Sequence, residues 1–105
     1  MHGRRTKMQK IDRTTYSQLG TERIPRILEY KPEAGGVSYK VHRHIDNPDT
    51  WFLTCRGFCD IVDLHTDDFA EAEKKAASYM RKLAKRKIQE FVTLIEDIEK
   101  SFEIS

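Results

Sequence analysis

The chain has 105 residues, of which 38 % are hydrophobic and 34 % are charged, and its net charge is +2. This length suits one domain with a modest core, and no apolar run approaches the roughly 18 residues that a membrane-spanning helix needs. The basic N-terminus has no apolar stretch behind it, so we predict no secretory signal. We expect a cytoplasmic protein whose two cysteines are reduced.

The charges are segregated along the chain. Residues 1–26 and 69–88 each carry seven basic and two acidic residues, which gives +5 for each block. Residues 27–68 hold four basic and eight acidic residues, residues 89–105 hold one and five, and each block is therefore −4. Two basic blocks that alternate with two acidic ones predict distinct charged surfaces, which the net charge conceals.

The pattern predicts an α+β fold, in which a small antiparallel meander precedes one long C-terminal helix. Residues 1–20 are basic and aperiodic, and we predict a flexible arm there, followed by one domain over residues 21–105. Strands are predicted at residues 27–30, 37–45, 51–55 and 58–64. Their connections are Lys31 to Gly36, Asp46 to Thr50, and Arg56-Gly57, which can form a tight hairpin turn or a bulge. The sheet thus has three to four strands over about residues 27–65.

The amphipathic helix is predicted over about residues 67–102. Thr66, Asp67 or Asp68 can cap it, and with Asp68 as the cap Glu71 falls at the third helical position as the second half of a capping box. Residues 69–84 form a narrow, alanine-rich stripe that suits close packing on the sheet. The second half has a broader stripe that the chain has no obvious means to cover. Three outcomes follow for that half: self-association, a fold-back near residues 85–87, or a lone, gently bent helix.

The apolar positions of that second half are the predicted oligomer or partner interface, which we name the apolar stripe. Its members are Ile88, Phe91, Val92, Ile95, Ile98 and Phe102. The two halves of the helix carry opposite charge, which favours an antiparallel pair of helices. The sequence therefore predicts a homodimer formed through the C-terminal helix.

The middle of the helix, with Lys74 and Lys75 a turn or two earlier, and the N-terminal arm supply the candidate contacts to nucleic acid or another anionic partner. The helical members, which we name the basic segment, are Lys74, Lys75, Arg81, Lys82, Lys85, Arg86 and Lys87, and the arm adds Arg4, Arg5 and Lys7. Such a cluster can neutralise several phosphates. Alternatively, it is a solvated helix face that pairs with the acidic tail of a second copy. A further hypothesis uses the acidic sheet region, with Trp51 and Phe52, to capture a basic protein.

No motif points to catalysis, and we predict no catalytic residue, no cofactor and no metal ligand. Cys55 and Cys59 are spaced more widely than usual zinc ligands, and we expect them to pack in the sheet. The acidic residues near the helix start raise a metal-dependent nuclease as a remote alternative, because two-metal chemistry needs converging carboxylates. Those residues are Asp60, Asp63, Asp67, Asp68 and Glu71.

The order strand, strand, helix, with the helix beginning Thr-Asp-Asp-Phe-Ala-Glu-Ala, resembles the arm-binding domains of tyrosine recombinases. It also resembles small antitoxin-like sheet-and-helix domains. Both resemblances rest on topology and on this helix start, so the sequence is assigned to no family. The sequence predicts a small non-enzymatic protein, of the type found in phages and mobile elements, that regulates or inhibits a protein or nucleoprotein partner. Direct nucleic-acid binding is the alternative.

Overall fold

The computed structural model describes residues 8–14, 26–44 and 46–102, and it shows an antiparallel sheet followed by one helix. The strands are β1 (Met8–Asp12), β2 (Ile27–Pro32), β3 (Tyr39–His44), β4 (Asn47–Cys55) and β5 (Cys59–Asp63), and the helix is α1 (Phe69–Phe102). The strands pair in chain order, each antiparallel to the next. The α+β class predicted from the sequence is confirmed.

Within the described residues the sheet has five strands, so the predicted number of three to four is too low. The additional strand is β1, which lies within the segment predicted to be a flexible arm and pairs with β2 from Met8 to Asp12. As an edge strand it leaves four of its five side chains exposed. It therefore lacks the alternation of apolar and polar residues by which a half-buried strand is recognised. The rest of the predicted arm lies outside the described residues.

Strand β4 begins at Asn47, within the stretch predicted to be a turn. Its first residues pair only with β3, because β5 pairs with β4 from Phe52 onward. Pro48 has no backbone N–H to donate, and proline is tolerated in a strand where a neighbour is missing on one side. Between β4 and β5, the connection is one residue longer than predicted, and Cys55 therefore lies opposite Cys59.

The core lies between one face of the sheet and the first half of α1. Leu28, Val41 and Leu53 are neighbours across β2, β3 and β4 in register, and each is at most 3 % exposed. Ala72 and Ala76 are fully buried against this face. Their small side chains allow the helix to approach closely, as the alanine-rich pattern predicted.

Arg43 occupies a position on this apolar face of β3, and three contacts explain it. Its guanidinium lies 4.6 Å from the ring centroid of Trp51, donates to the Asp67 carboxylate at 2.7 Å, and donates to the carbonyl oxygen of Pro48. Trp51 itself donates from Nε1 to the Asp67 carbonyl oxygen at 3.0 Å. Strands β3 and β4 are thereby tied to the segment that leads into the helix.

Of the three candidate caps, Asp68 caps helix α1, because its Oδ2 accepts from the backbone N–H of Glu71 at 2.9 Å. The second half of the predicted capping box is not formed, since the backbone N–H of Asp68 donates to Thr66 Oγ1 at 3.1 Å and the Glu71 carboxylate pairs with Lys75. The helix then continues without a break to Phe102. It passes through residues 85–87, where the sequence left a fold-back open. Its 34 residues correspond to a length of about 50 Å at about 1.5 Å per residue. Within the described residues, no helix combines the length and apolarity required to cross a bilayer.

Candidate functional site

The C-terminal half of α1 is the largest uncovered apolar feature of the described residues. The last buried residue of the helix is Leu83, which is 4 % exposed. Beyond it, the six members of the apolar stripe are between 40 % and 72 % exposed, and Leu94 between them is 51 % exposed. No part of the described chain covers these side chains.

Two geometric reasons explain why the sheet leaves the apolar stripe open. Helix α1 lies across β3 and β4, and the short strands cover only its first half. The stripe also lies on a different face of the helix from the residues that are buried in its first half. At 3.6 residues per turn, it is centred roughly 100° around the helix axis from the line of Ala72, Ala76 and Leu83. A sheet extended along α1 would still miss it, whereas a second element alongside the helix would meet it.

The basic segment lies along the first half and the middle of α1, and Lys75 of this segment reaches back to donate to the Leu64 carbonyl oxygen at 3.1 Å. Lys74, Arg81, Lys82, Lys85 and Arg86 are exposed, and none makes an ion pair with another described residue. Lys75 and Lys87 do form ion pairs, with Glu71 at 3.4 Å and with Glu90 at 3.2 Å. The structure therefore brings five unpaired cations together on one helix surface. Arg4, Arg5 and Lys7 of the predicted arm lie outside the described residues.

Four of the five acidic residues near the helix start have separate structural partners. Asp67 binds Arg43, Asp68 caps α1, and Glu71 pairs with Lys75. Asp63 accepts a hydrogen bond from the backbone N–H of His65 at 2.7 Å. Across the described chain, no three His, Cys, Asp or Glu side chains come together as a set of metal ligands. The residues named for the nuclease alternative thus do not converge on one point.

Cys55 and Cys59 are both free thiols. Cys55 is fully buried on the helix side of the sheet, where its thiol lies 3.4 Å from the Ser38 carbonyl oxygen. Burial raises the pKa of the Cys55 thiol, which disfavours the reactive thiolate. A packing role in the sheet, as the sequence predicted, agrees with this position.

Trp51 and Phe52 lie on opposite faces of the sheet, so they do not form the shared capture surface suggested by the sequence. Trp51 is 2 % exposed, and its ring centroid lies 5.0 Å from that of Phe69. Phe52 lies on the face opposite α1, with the rings of His42 and His44 at 6.1 Å and 6.4 Å. His42 also contacts the Thr54 hydroxyl at 2.7 Å through Nε2, and its burial lowers its pKa.

Glu73 joins the helix to the edge of the sheet, a connection that the sequence did not reveal. Its carboxylate accepts from the Tyr30 hydroxyl at 2.7 Å and lies 3.0 Å from the Lys10 ammonium. The Tyr30 hydrogen bond, assisted by Lys10, lowers the pKa of Glu73, whereas burial and the neighbouring carboxylate raise that of Tyr30. The opposite charges of Lys10 and Glu73 were visible in the sequence, but their proximity depends on the pairing of β1 with β2.

No protein-family model matches the chain, and no match is found among curated proteins or solved structures. The features of the chain that point to a function are the two surfaces of α1, the apolar stripe and the basic segment.

Proposed function

We propose that this is a small non-enzymatic binding protein that forms a homodimer through the C-terminal half of α1 and regulates or inhibits a protein or nucleoprotein partner. The observation that carries the proposal is the exposure of the apolar stripe. Soluble monomers rarely leave such a surface open, and large exposed apolar patches commonly mark interaction sites.

The area of this surface suits a stable interface. Half of a large side chain amounts to on the order of 100 Å². The stripe and Leu94, seven side chains that are 40–72 % exposed, then expose on the order of 700 Å², above the roughly 300–600 Å² of the largest patch on a typical monomer. Two such surfaces brought together bury on the order of 1,400 Å², within the range of standard protein–protein interfaces.

Amide hydrogen exchange tests the association at the residues concerned. In a dimer, amides of residues 88–102 are protected, and this protection increases as protein concentration rises through the dissociation constant. Residues 69–83, which pack on the sheet, provide an internal reference whose protection changes less. Equal, concentration-independent exchange in both halves would contradict the proposal.

Direct nucleic-acid binding is a second candidate function, supported by the five unpaired cations of the basic segment. Each phosphate contact releases counterions, so affinity would fall steeply with salt concentration. The test is a mobility shift with duplex and single-stranded DNA at two salt concentrations. The triple variant Arg81→Ala, Lys82→Ala, Arg86→Ala should lose binding and the salt dependence.

A matched control removes three exposed cations from the sheet region instead, by Lys31→Ala, Lys40→Ala and Arg56→Ala. Both variants lower the net charge by three. If both weaken binding equally, the effect is one of net charge and the basic segment is not the binding site. If neither the parent protein nor the control variant shifts DNA at low salt, direct nucleic-acid binding is rejected.

A further inference from the structure

We infer that the second copy lies antiparallel to the first along residues 84–102. The two-fold axis that relates the helices passes at the level of Thr93. This inference rests on the proposed self-association and adds its direction and register. It also defines the arrangement of sheets and charges in the resulting dimer.

The spacing of the apolar stripe determines the register. Ile88, Ile95 and Phe102 recur every seven residues, with Phe91 and Ile98 between them, as the a and d positions of a helical pair do. In an antiparallel pair each a residue packs beside a d residue of the other helix. One register satisfies this along the whole free half of α1. Its layers are Ile88 with Ile98, Phe91 with Ile95, and Ala84 with Phe102.

The residues that flank these layers agree with the same register. Around the two-fold axis, Val92 approaches Val92 of the second copy on one side, and Leu94 approaches its equivalent on the other. A helical pair that needs apolar residues only at its a and d positions would leave the positions of Val92 and Leu94 polar. Their contacts around the two-fold axis explain why they are apolar here. Toward each end, Lys85 lies beside Glu99 of the second copy, so that the dimer contains two such opposite-charge pairs.

Other arrangements fit less well. A parallel pair sets the two basic segments side by side and brings the acidic ends together, and both contacts are repulsive. Moving the antiparallel register by one heptad in one direction sets Ile88 opposite a position beyond the end of the described helix. Moving it in the other direction places Arg81 against Ile98. The layer of Ala84 and Phe102 also matches a small side chain to a large one, as close packing requires.

The fold accommodates the second helix. In this register Phe102 of the second copy lies level with Ala84, which follows Leu83, the last buried residue of the helix. Measured around the helix axis, the sheet lies roughly 100° to one side of the stripe and the basic segment roughly 130° to the other. The two-fold axis therefore places both sheets on one face of the dimer and both basic segments on the opposite face.

A distance between spin labels tests the direction of pairing. Ser101→Cys introduces a label site in a Cys59→Ser background, and the remaining thiol, Cys55, is fully buried. Electron–electron double resonance should give about 25 Å between the two labels, from the rise of about 1.5 Å per residue. A parallel pair brings the labels within about 15 Å, given helix axes 8–10 Å apart, and that result would overturn the inference.

A charge exchange tests the register independently. Lys85→Glu and Glu99→Lys should each weaken dimerisation roughly tenfold, because two attractive pairs become repulsive, and the double variant should restore it. Lys82→Glu is the matched control, since Lys82 points away from the second helix. Failure of the double variant to restore affinity overturns the register while a dimeric mass preserves the proposed self-association. A monomeric mass for the parent chain rejects both.

Discussion

The substitution Ile95→Ala should weaken the dimer without affecting the fold of the subunit. It removes three carbons from a side chain that is 54 % exposed in the single chain. At about 0.8 kcal/mol for each buried carbon, covering that exposed fraction is worth about 1.3 kcal/mol per chain. Both copies carry the change, so the loss is about 2.6 kcal/mol, or roughly 80-fold in the dissociation constant.

Sedimentation velocity over a dilution series measures this dissociation constant, and thermal unfolding at low concentration reports on the subunit. Gln89→Ala is the matched control, because Gln89 lies on the same half of α1 but outside the apolar stripe. The reasoning is refuted if Ile95→Ala and Gln89→Ala leave the dissociation constant equally unchanged, since Ile95 would then contribute nothing to association.

Further substitutions test the fold that presents these surfaces. Leu53→Ala should lower the free energy of unfolding by about 2–5 kcal/mol, because Leu53 is fully buried. Leu94→Ala, the control, should change the free energy of unfolding of the monomer by less than about 0.5 kcal/mol. Equal losses for the two variants in chemical denaturation would contradict the assigned core. Glu73→Gln should cost about 1 kcal/mol at neutral pH, after allowance for the 38 % exposure of the side chain. The hydrogen bond from Tyr30 lowers the pKa of Glu73 in the folded protein. The stabilisation by the Glu73 carboxylate is therefore present above its ordinary pKa of 4.5 and is lost as the pH falls through the folded-state pKa. A difference in unfolding free energy between Glu73→Gln and the parent protein that stays constant from pH 7 to pH 3 would refute this. Asp68→Ala should cost about 1 kcal/mol through loss of the helix cap, whereas Asp68→Asn should retain most of that stability in the same denaturation assay.

The helix was the most predictable element, because its apolar residues recur with helical spacing over many turns and its start carries a capping residue. The division of α1 into a sheet-bound half and a free half was also visible, in the change from alanines to larger side chains after Ala84. What the sequence could not reveal depended on pairing between distant segments. Strand β1 has no pattern of its own, and its place in the sheet comes from hydrogen bonding to β2.

The same limit applies to individual side chains of the candidate surfaces. Trp51 and Phe52 are adjacent and aromatic, so composition alone cannot say which of them faces the helix. That choice follows from the register that aligns Leu53 with Val41. In the sequence, Arg43 similarly interrupts an apolar strand face without an evident reason. The structure gives the reason, because the turn before α1 brings the Asp67 carboxylate to the Arg43 guanidinium.

The central claim is that the free half of α1 is covered by a second copy of the chain. The most direct test is the mass of the purified protein by light scattering, at high micromolar concentration and moderate ionic strength. A homodimer has about twice the 12.4 kDa mass of the single chain, and the measured mass should decrease toward 12.4 kDa on dilution. A mass of 12.4 kDa that stays constant up to the highest concentration would contradict it.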